Sequence, residues 1–244
     1  MTGSASEWRF MRIGLLVTGK GEEKFLPQFF RVLTTEGDCV FEVIRRVRQL
    51  SPIDSPKRIQ KMVGRGQTLP SRDEEIGLVA REYLRKPDRF LILVDDLEGD
   101  RSPRVADVFR RYRNALDSFL GENKSRAAVH FLVNMLEAYF FADAATANRI
   151  LGTDLANFDG DVELIRHPKN DLKRIFTGYR EIDHGVRIVR ELDLDLVLSN
   201  PQTCASLRTM IAWCVKALDR SFDERFRLSD GIYFNITQPQ IDAL

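Results

Sequence analysis

The hydrophobic pattern of this chain predicts an α/β fold: an open, mostly parallel sheet with helices on both faces, plus a helical C-terminal appendage. Three observations carry that reading. Apolar runs of strand length recur at Met11–Val17, Phe90–Val94 and Ala127–Val133. Between them lie apolar stripes at steps of three and four, which mark helices that cover a sheet. Beyond about Leu151 the strand-length runs stop and the pattern becomes mostly helical.

Taken in order, Met11–Val17 reads as a buried strand ended by the turn formers Gly19 and Gly21. Phe25, Leu26, Phe29, Phe30 and Leu33 then share one helical face, and Cys39 to Ile44 supplies a second strand. A basic stretch with Pro52, Pro56, Gly64 and Gly66 reads as exposed loop. A helix opens near Ser71 with Asp73, Glu74 and Glu75 in its first turn, where the dipole favours acids, and Pro87 closes it. Phe90–Val94 is five apolar residues long and reads as a central strand. Ser102-Pro103 has N-cap and N1 character, and Val105, Val108, Tyr112, Leu116 and Phe119 make the buried stripe of the helix that follows. Later helices are expected over 168–176, 185–192 and 201–218. The expected division is a flexible tail over 1–10, the α/β core over 11–151, a mostly helical subdomain over 152–226 and an irregular tail over 227–244.

With 43% hydrophobic and 30% charged residues, disorder and coiled coil are excluded. No apolar run approaches the roughly 20 residues that span a bilayer, and residues 1–12 lack the features of a secretory signal. A cytoplasmic location without membrane attachment is therefore expected. Cys39, Cys204 and Cys214 are widely spaced and read as reduced, buried thiols. The net charge of +1 excludes a uniformly basic surface, so a nucleic-acid face has to be local. The candidate is 45–65, where Arg45, Arg46, Arg48, Lys57, Arg58, Lys61 and Arg65 oppose only Asp54; a solvated linker reads equally well.

In an open parallel sheet, ligands bind beyond the carboxyl ends of the strands. The first strand runs into Thr18-Gly19-Lys20-Gly21-Glu22-Glu23, and the central strand into Asp95-Asp96-Leu97-Glu98-Gly99-Asp100. Four carboxylates in those last six residues persist most easily if solvated or neutralised by a cation, and their hard oxygens suit Mg²⁺ or Mn²⁺. Glu22 and Glu23 also fit plain first-turn helix charges. His130 lies within a strand, and His167-Pro168 has the look of a helix start. There is no GxxxxGK[ST] pattern, so no ATP-binding P-loop is expected.

The turn Val17-Thr18-Gly19-Lys20-Gly21-Glu22 and the strand end Asp96-Leu97-Glu98 resemble the two acidic motifs of the Toprim (topoisomerase–primase) fold. More narrowly, with Leu136-Glu137-Ala138-Tyr139-Phe140-Phe141-Ala142-Asp143 and His167-Pro168-Lys169, the chain is similar to a Toprim-like bacterial family, domain-of-unknown-function family 4276, over roughly 11–219. The family is related to the overcoming-lysogenization-defect nucleases. The resemblance implies a phosphoryl-transfer protein, a nuclease on DNA or RNA in a phage-defence or repair system. It implies Glu22, Asp95, Asp96 and Glu98 as catalytic residues, and Mg²⁺ or Mn²⁺ held by Asp96, Glu98, Glu22 and Glu137. It also implies a separately encoded ATPase as partner; Lys169, at the helix start, is a candidate phosphate contact on its own reading, against that of a solvated lysine. A homo-oligomer stays open. One departure matters: the family's leading glutamate falls at Thr18, whose hydroxyl cannot replace a carboxylate. The alternative is therefore a catalytically degenerate binding or regulatory subunit.

Overall fold

All three apolar runs are strands, and the stripes between them are helices. The structure is a computed structural model that describes residues 10–52, 60–63, 67–221, 223–228 and 230–244, with the backbone alone at 60–63, 67–71 and 100. Strand β1 (Met11–Val17) leads into helix α1 (Lys20–Phe29) and β2 (Cys39–Arg46). Inside the stretch expected to be loop, β3 (Gln60–Val63) and β4 (Gln67–Pro70) pair as an antiparallel hairpin. Helix α2 (Ser71–Tyr83), β5 (Arg89–Leu97), α3 (Val105–Leu120) and β6 (Ala127–Val133) complete the α/β part. Then come α4 (Ala144–Leu151), α5 (Pro168–Ile175), α6 (Val186–Glu191), α7 (Leu194–Val197), α8 (Ala205–Ala217) and α9 (Gly231–Asp242).

The main sheet has the order β2-β1-β5-β6 and every pairing in it is parallel. Parallel neighbours need crossover connections, and α1, α2 and α3 provide them. The pleat then sorts side chains between two cores. On one face Ile13, Leu15, Val17, Ile92 and Val94 pack with α1, α4, α5, α6 and α8. On the other, Leu16, Leu91, Leu93 and Leu97 pack with α2 and α3. Helices α4, α5, α6 and α8 thus form a layer laid on one face of the sheet, sharing a core with β1. All three cysteines are free and buried. His130 is buried against Trp213, with ring centroids 6.2 Å apart, and burial, with Arg113 adding to it, pushes its imidazole down to about 3, so it is neutral. Among the described residues no helix is long and apolar enough to cross a membrane.

The expectation of an irregular tail is corrected: 231–242 is helix α9. The reason lies in its packing. Tyr233 and Ile236 join the α2–α3 core while Ile241 joins the other, so the helix wraps the β6 edge and shows no single apolar stripe. Its Gln240 carboxamide substitutes for a missing strand neighbour: the Val129 N–H donates to Oε1 at 2.9 Å, and Nε2 donates to the Val129 carbonyl at 3.1 Å. Ser206 caps the next exposed carbonyl, Phe131 O, at 2.7 Å. An unpaired strand edge invites pairing with another chain, and these side chains occupy it. Gln240→Ala leaves both Val129 backbone groups unpaired and buried, and should lower stability by on the order of 2–4 kcal/mol in urea unfolding. A loss below about 0.5 kcal/mol would mean the edge is not held this way.

Candidate functional site

From β1 the chain passes to β2 on one side and later returns to β5 on the other, so the connections diverge between β1 and β5. That divergence is the crevice where open α/β sheets bind ligands. Val17 lies level with Arg46 on β2 and Val94 on β5, so the carboxyl ends gather at one edge, and β5 runs on to Leu97 beside β6.

Alternation along β5 then separates the two aspartates. Asp95 follows the phase of Leu91 and Leu93, towards α2 and α3; Asp96 follows Ile92 and Val94, towards α1. Asp95 is fully buried and held by partners. The Thr18 hydroxyl donates to its Oδ1 at 2.9 Å, Gln49 Nε2 at 3.1 Å, and the Arg101 guanidinium grips both oxygens as an ion pair. The expectation that Asp95 assists beside Asp96 is corrected on this ground, because it faces the opposite side of the sheet with its oxygens engaged. Thr18 also accepts the Asp96 N–H at 3.3 Å, so its hydroxyl ties the ends of β1 and β5 together.

On the α1 face the picture reverses. Glu22, in the first turn of α1, and Asp96 are buried, and Glu22 Oε2 and Asp96 Oδ1 are without a hydrogen-bond partner. Two glycines make this geometry: a Cβ at Gly19 would collide with Glu22 Oε2, and one at Gly21 would sit 2.7 Å from Glu181 Oε1. Burial above all, reinforced by the charges of Glu137, Glu181 and Asp95, pushes the Glu22 carboxyl up to about 7 against the pull of a backbone hydrogen bond. Burial, then Glu22, Glu98, Asp95 and Glu137, raises Asp96 well above the usual carboxylate range.

Glu137 arrives from β6. Asn134 and Met135 take positive φ values of 56° and 79°, common for an asparagine but rare for a methionine, and the chain enters a short helix of two tight turns, Leu136–Phe141. Glu137 is buried there, accepts the Tyr179 hydroxyl at 3.3 Å, and is raised by burial first and by Glu181 next. Lys169, from the first turn of α5, forms an ion pair with Glu181 and feels Glu137 and Asp96. Glu98 is exposed just past β5.

Burial alone does not mark this cluster. Asp143 and Glu163 are as buried but fully employed: Asp143 accepts the Thr146 and Asp193 N–H groups, and Glu163 accepts the Ser206 and Leu207 N–H groups at 3.1 Å and the Tyr139 hydroxyl at 2.8 Å. What distinguishes Glu22 and Asp96 is acceptor capacity left over. Among the described residues no three His, Cys, Asp or Glu groups close into a metal cage. Two carboxylates with spare hard oxygens still fit Mg²⁺, which takes one or two carboxylates, keeps several waters and binds substrate phosphate.

Of the basic candidates, Arg45 and Arg46 stand exposed at the carboxyl end of β2, paired with Glu75 at 3.4 Å and Glu23 at 3.2 Å, and Arg48 is exposed just beyond. Lys57, Arg58 and Arg65 lie outside the described residues, as does the Lys61 side chain. Gln49, Arg101, Tyr179 and Glu181 are members that sequence reading missed. Only Arg101, the residue directly after the acidic run, carried a local signal.

A family model described as "Domain of unknown function (DUF4276)" matches residues 17–213. No curated protein and no solved structure matches the chain. The matched span opens at the last residue of β1 and closes within α8, so it takes in every carboxylate of the cluster, and the chain belongs to the DUF4276 family.

Proposed function

We propose that this protein is a divalent-cation-dependent phosphoryl-transfer enzyme, a Toprim-like nuclease that cleaves DNA or RNA in a phage-defence or repair setting. The observation that carries the proposal is the pair of buried, partnerless oxygens, Glu22 Oε2 and Asp96 Oδ1, at the strand ends where β1 and β5 diverge. Asp96 is the main holder of Mg²⁺ or Mn²⁺, with Glu137 and the exposed Glu98 beside it. A bound cation there supplies charge neutralisation at phosphate and activation of water. Glu22, titrating near neutral pH, is suited to take the proton of the attacking water. Arg45, Arg46 and Arg48 flank the same edge and give a phosphate backbone a cationic approach.

A second reading has its own observation. Thr18 spends its hydroxyl on Asp95, on the far side of the sheet from Glu22, which supports a degenerate subunit acting beside a separately encoded ATPase. One assay separates the two. Purified protein with Mg²⁺ or Mn²⁺ is expected to nick supercoiled plasmid or degrade RNA. Cation binding without cleavage of either substrate selects the subunit reading, and cleavage that survives Asp96→Ala removes the proposed site.

A further inference from the structure

The acidic site already contains one cation. Glu22, Asp96, Glu137 and Glu181 bring four carboxylates towards the turn between β1 and α1; burial works against the Lys169 charge, and the hydrogen bond to Glu181 with the charges of Glu137, Glu181 and Asp96 outweighs it and raises the ammonium. The contacts are geometric as well as electrostatic. Lys169 pairs with Glu181, Glu181 Oε1 is pressed on Gly21, and Tyr179 reaches Glu137, so the segment carrying Lys169, Tyr179 and Glu181 packs directly over the first turn of α1.

Depth orders these groups. Glu22, Asp96 and Glu137 are 5%, 8% and 3% exposed, whereas the side chains of Lys169 and Glu181 are 25% and 28% exposed and form the solvent side of the cluster. Glu181 opens a five-residue π-helical turn, Glu181–Gly185, a local irregularity that recurs at functional sites. Lysine is a compact charge on a long flexible stem and can leave one carboxylate without unfolding anything. The inner oxygens Glu22 Oε2 and Asp96 Oδ1 have no such partner.

We propose that the Lys169 ammonium is the resident counter-cation of this site, tethered at its mouth by Glu181, and that a divalent cation entering the site displaces it. The inference rests on the metal-dependent reading above. It makes Lys169 a competitor of the metal first and a phosphate contact only after it has been released.

The test is Mn²⁺ binding to the full chain, followed by the electron paramagnetic resonance signal of free Mn²⁺ at fixed pH and salt, with thermal unfolding to verify folding. Lys169→Met should bind Mn²⁺ at least tenfold more tightly than wild type, the floor expected for one unit charge about 10 Å from a doubly charged ion at an effective dielectric constant of about 40. Lys169→Arg should stay close to wild type, and Lys169→Gln repeats the test should the Met variant not fold. Asp96→Asn should abolish binding. If Lys169→Met leaves affinity unchanged or weaker while Asp96→Asn still abolishes it, the counter-cation role is wrong and the metal site stands. If neither wild type nor Lys169→Met binds Mn²⁺, both readings are overturned.

Discussion

Asp96→Asn is expected to cut Mn²⁺-dependent cleavage by roughly 10²-fold or more, since even partners outside the ligand shell cost 10- to 100-fold when removed. The same change should make the protein more stable. Asp96 is buried, the charges of Glu22, Glu98, Asp95 and Glu137 act against it, and one of its oxygens has no donor, so its charged form is costly to the folded state. Removing that charge should raise stability by about 0.5–2 kcal/mol, the usual return from relieving a functional compromise. The sign with pH follows from the raised folded-state value. The folded protein holds the proton more tightly than the unfolded chain, so the penalty is absent below the unfolded value of about 4 and grows as pH rises through the folded one. The gain in Asp96→Asn should therefore be small at pH 4 and grow as pH rises, as read by urea unfolding across pH. A variant that loses cleavage and also loses stability at pH 8 would place Asp96 in the scaffold instead of the site.

Much of the site was legible because strand and acid adjoin in sequence. Five apolar residues running into four carboxylates announce a strand end, and Gly19 and Gly21 announce the turn that carries Glu22. The separation of Asp95 from Asp96 was also within reach, since one more step of the alternation through Leu91 and Leu93 sends Asp95 to the other face. Gln49 and Glu181 were not legible. They reach the sheet through a connecting segment and a distant helical turn, and only tertiary packing says which way those lie. Helix α9 escaped for a related reason, because a helix serving two cores has apolar residues on two sides and no moment to read. The hairpin of β3 and β4 lay in a stretch whose prolines, glycines and basic residues outweighed its short strand signal.

The largest loss of stability is expected from Arg101→Met. Arg101 grips both oxygens of Asp95, and its side chain is only 11% exposed against 0% for the aspartate. Its guanidinium also donates to Asp96 O at 2.9 Å and to Leu50 O at 3.2 Å, fastening the end of β5 to the segment after β2. Taking one partner from a buried pair leaves the other charge uncompensated, which costs about 3–5 kcal/mol. Thr18 and Gln49 remain as donors to Asp95 but carry no charge, so they soften the loss without cancelling it. Restoring neutrality should recover part of it: Asp95→Asn combined with Arg101→Met is expected to be more stable than Arg101→Met alone by about 1–3 kcal/mol, a coupling of the size that contacting residues show. If the double variant is no better than the single one, the damage lies in the lost carbonyl contacts to Asp96 and Leu50 and not in the stranded charge. In either case the α1 face should feel it, because Asp96 is held in place by the strand end that Arg101 fastens.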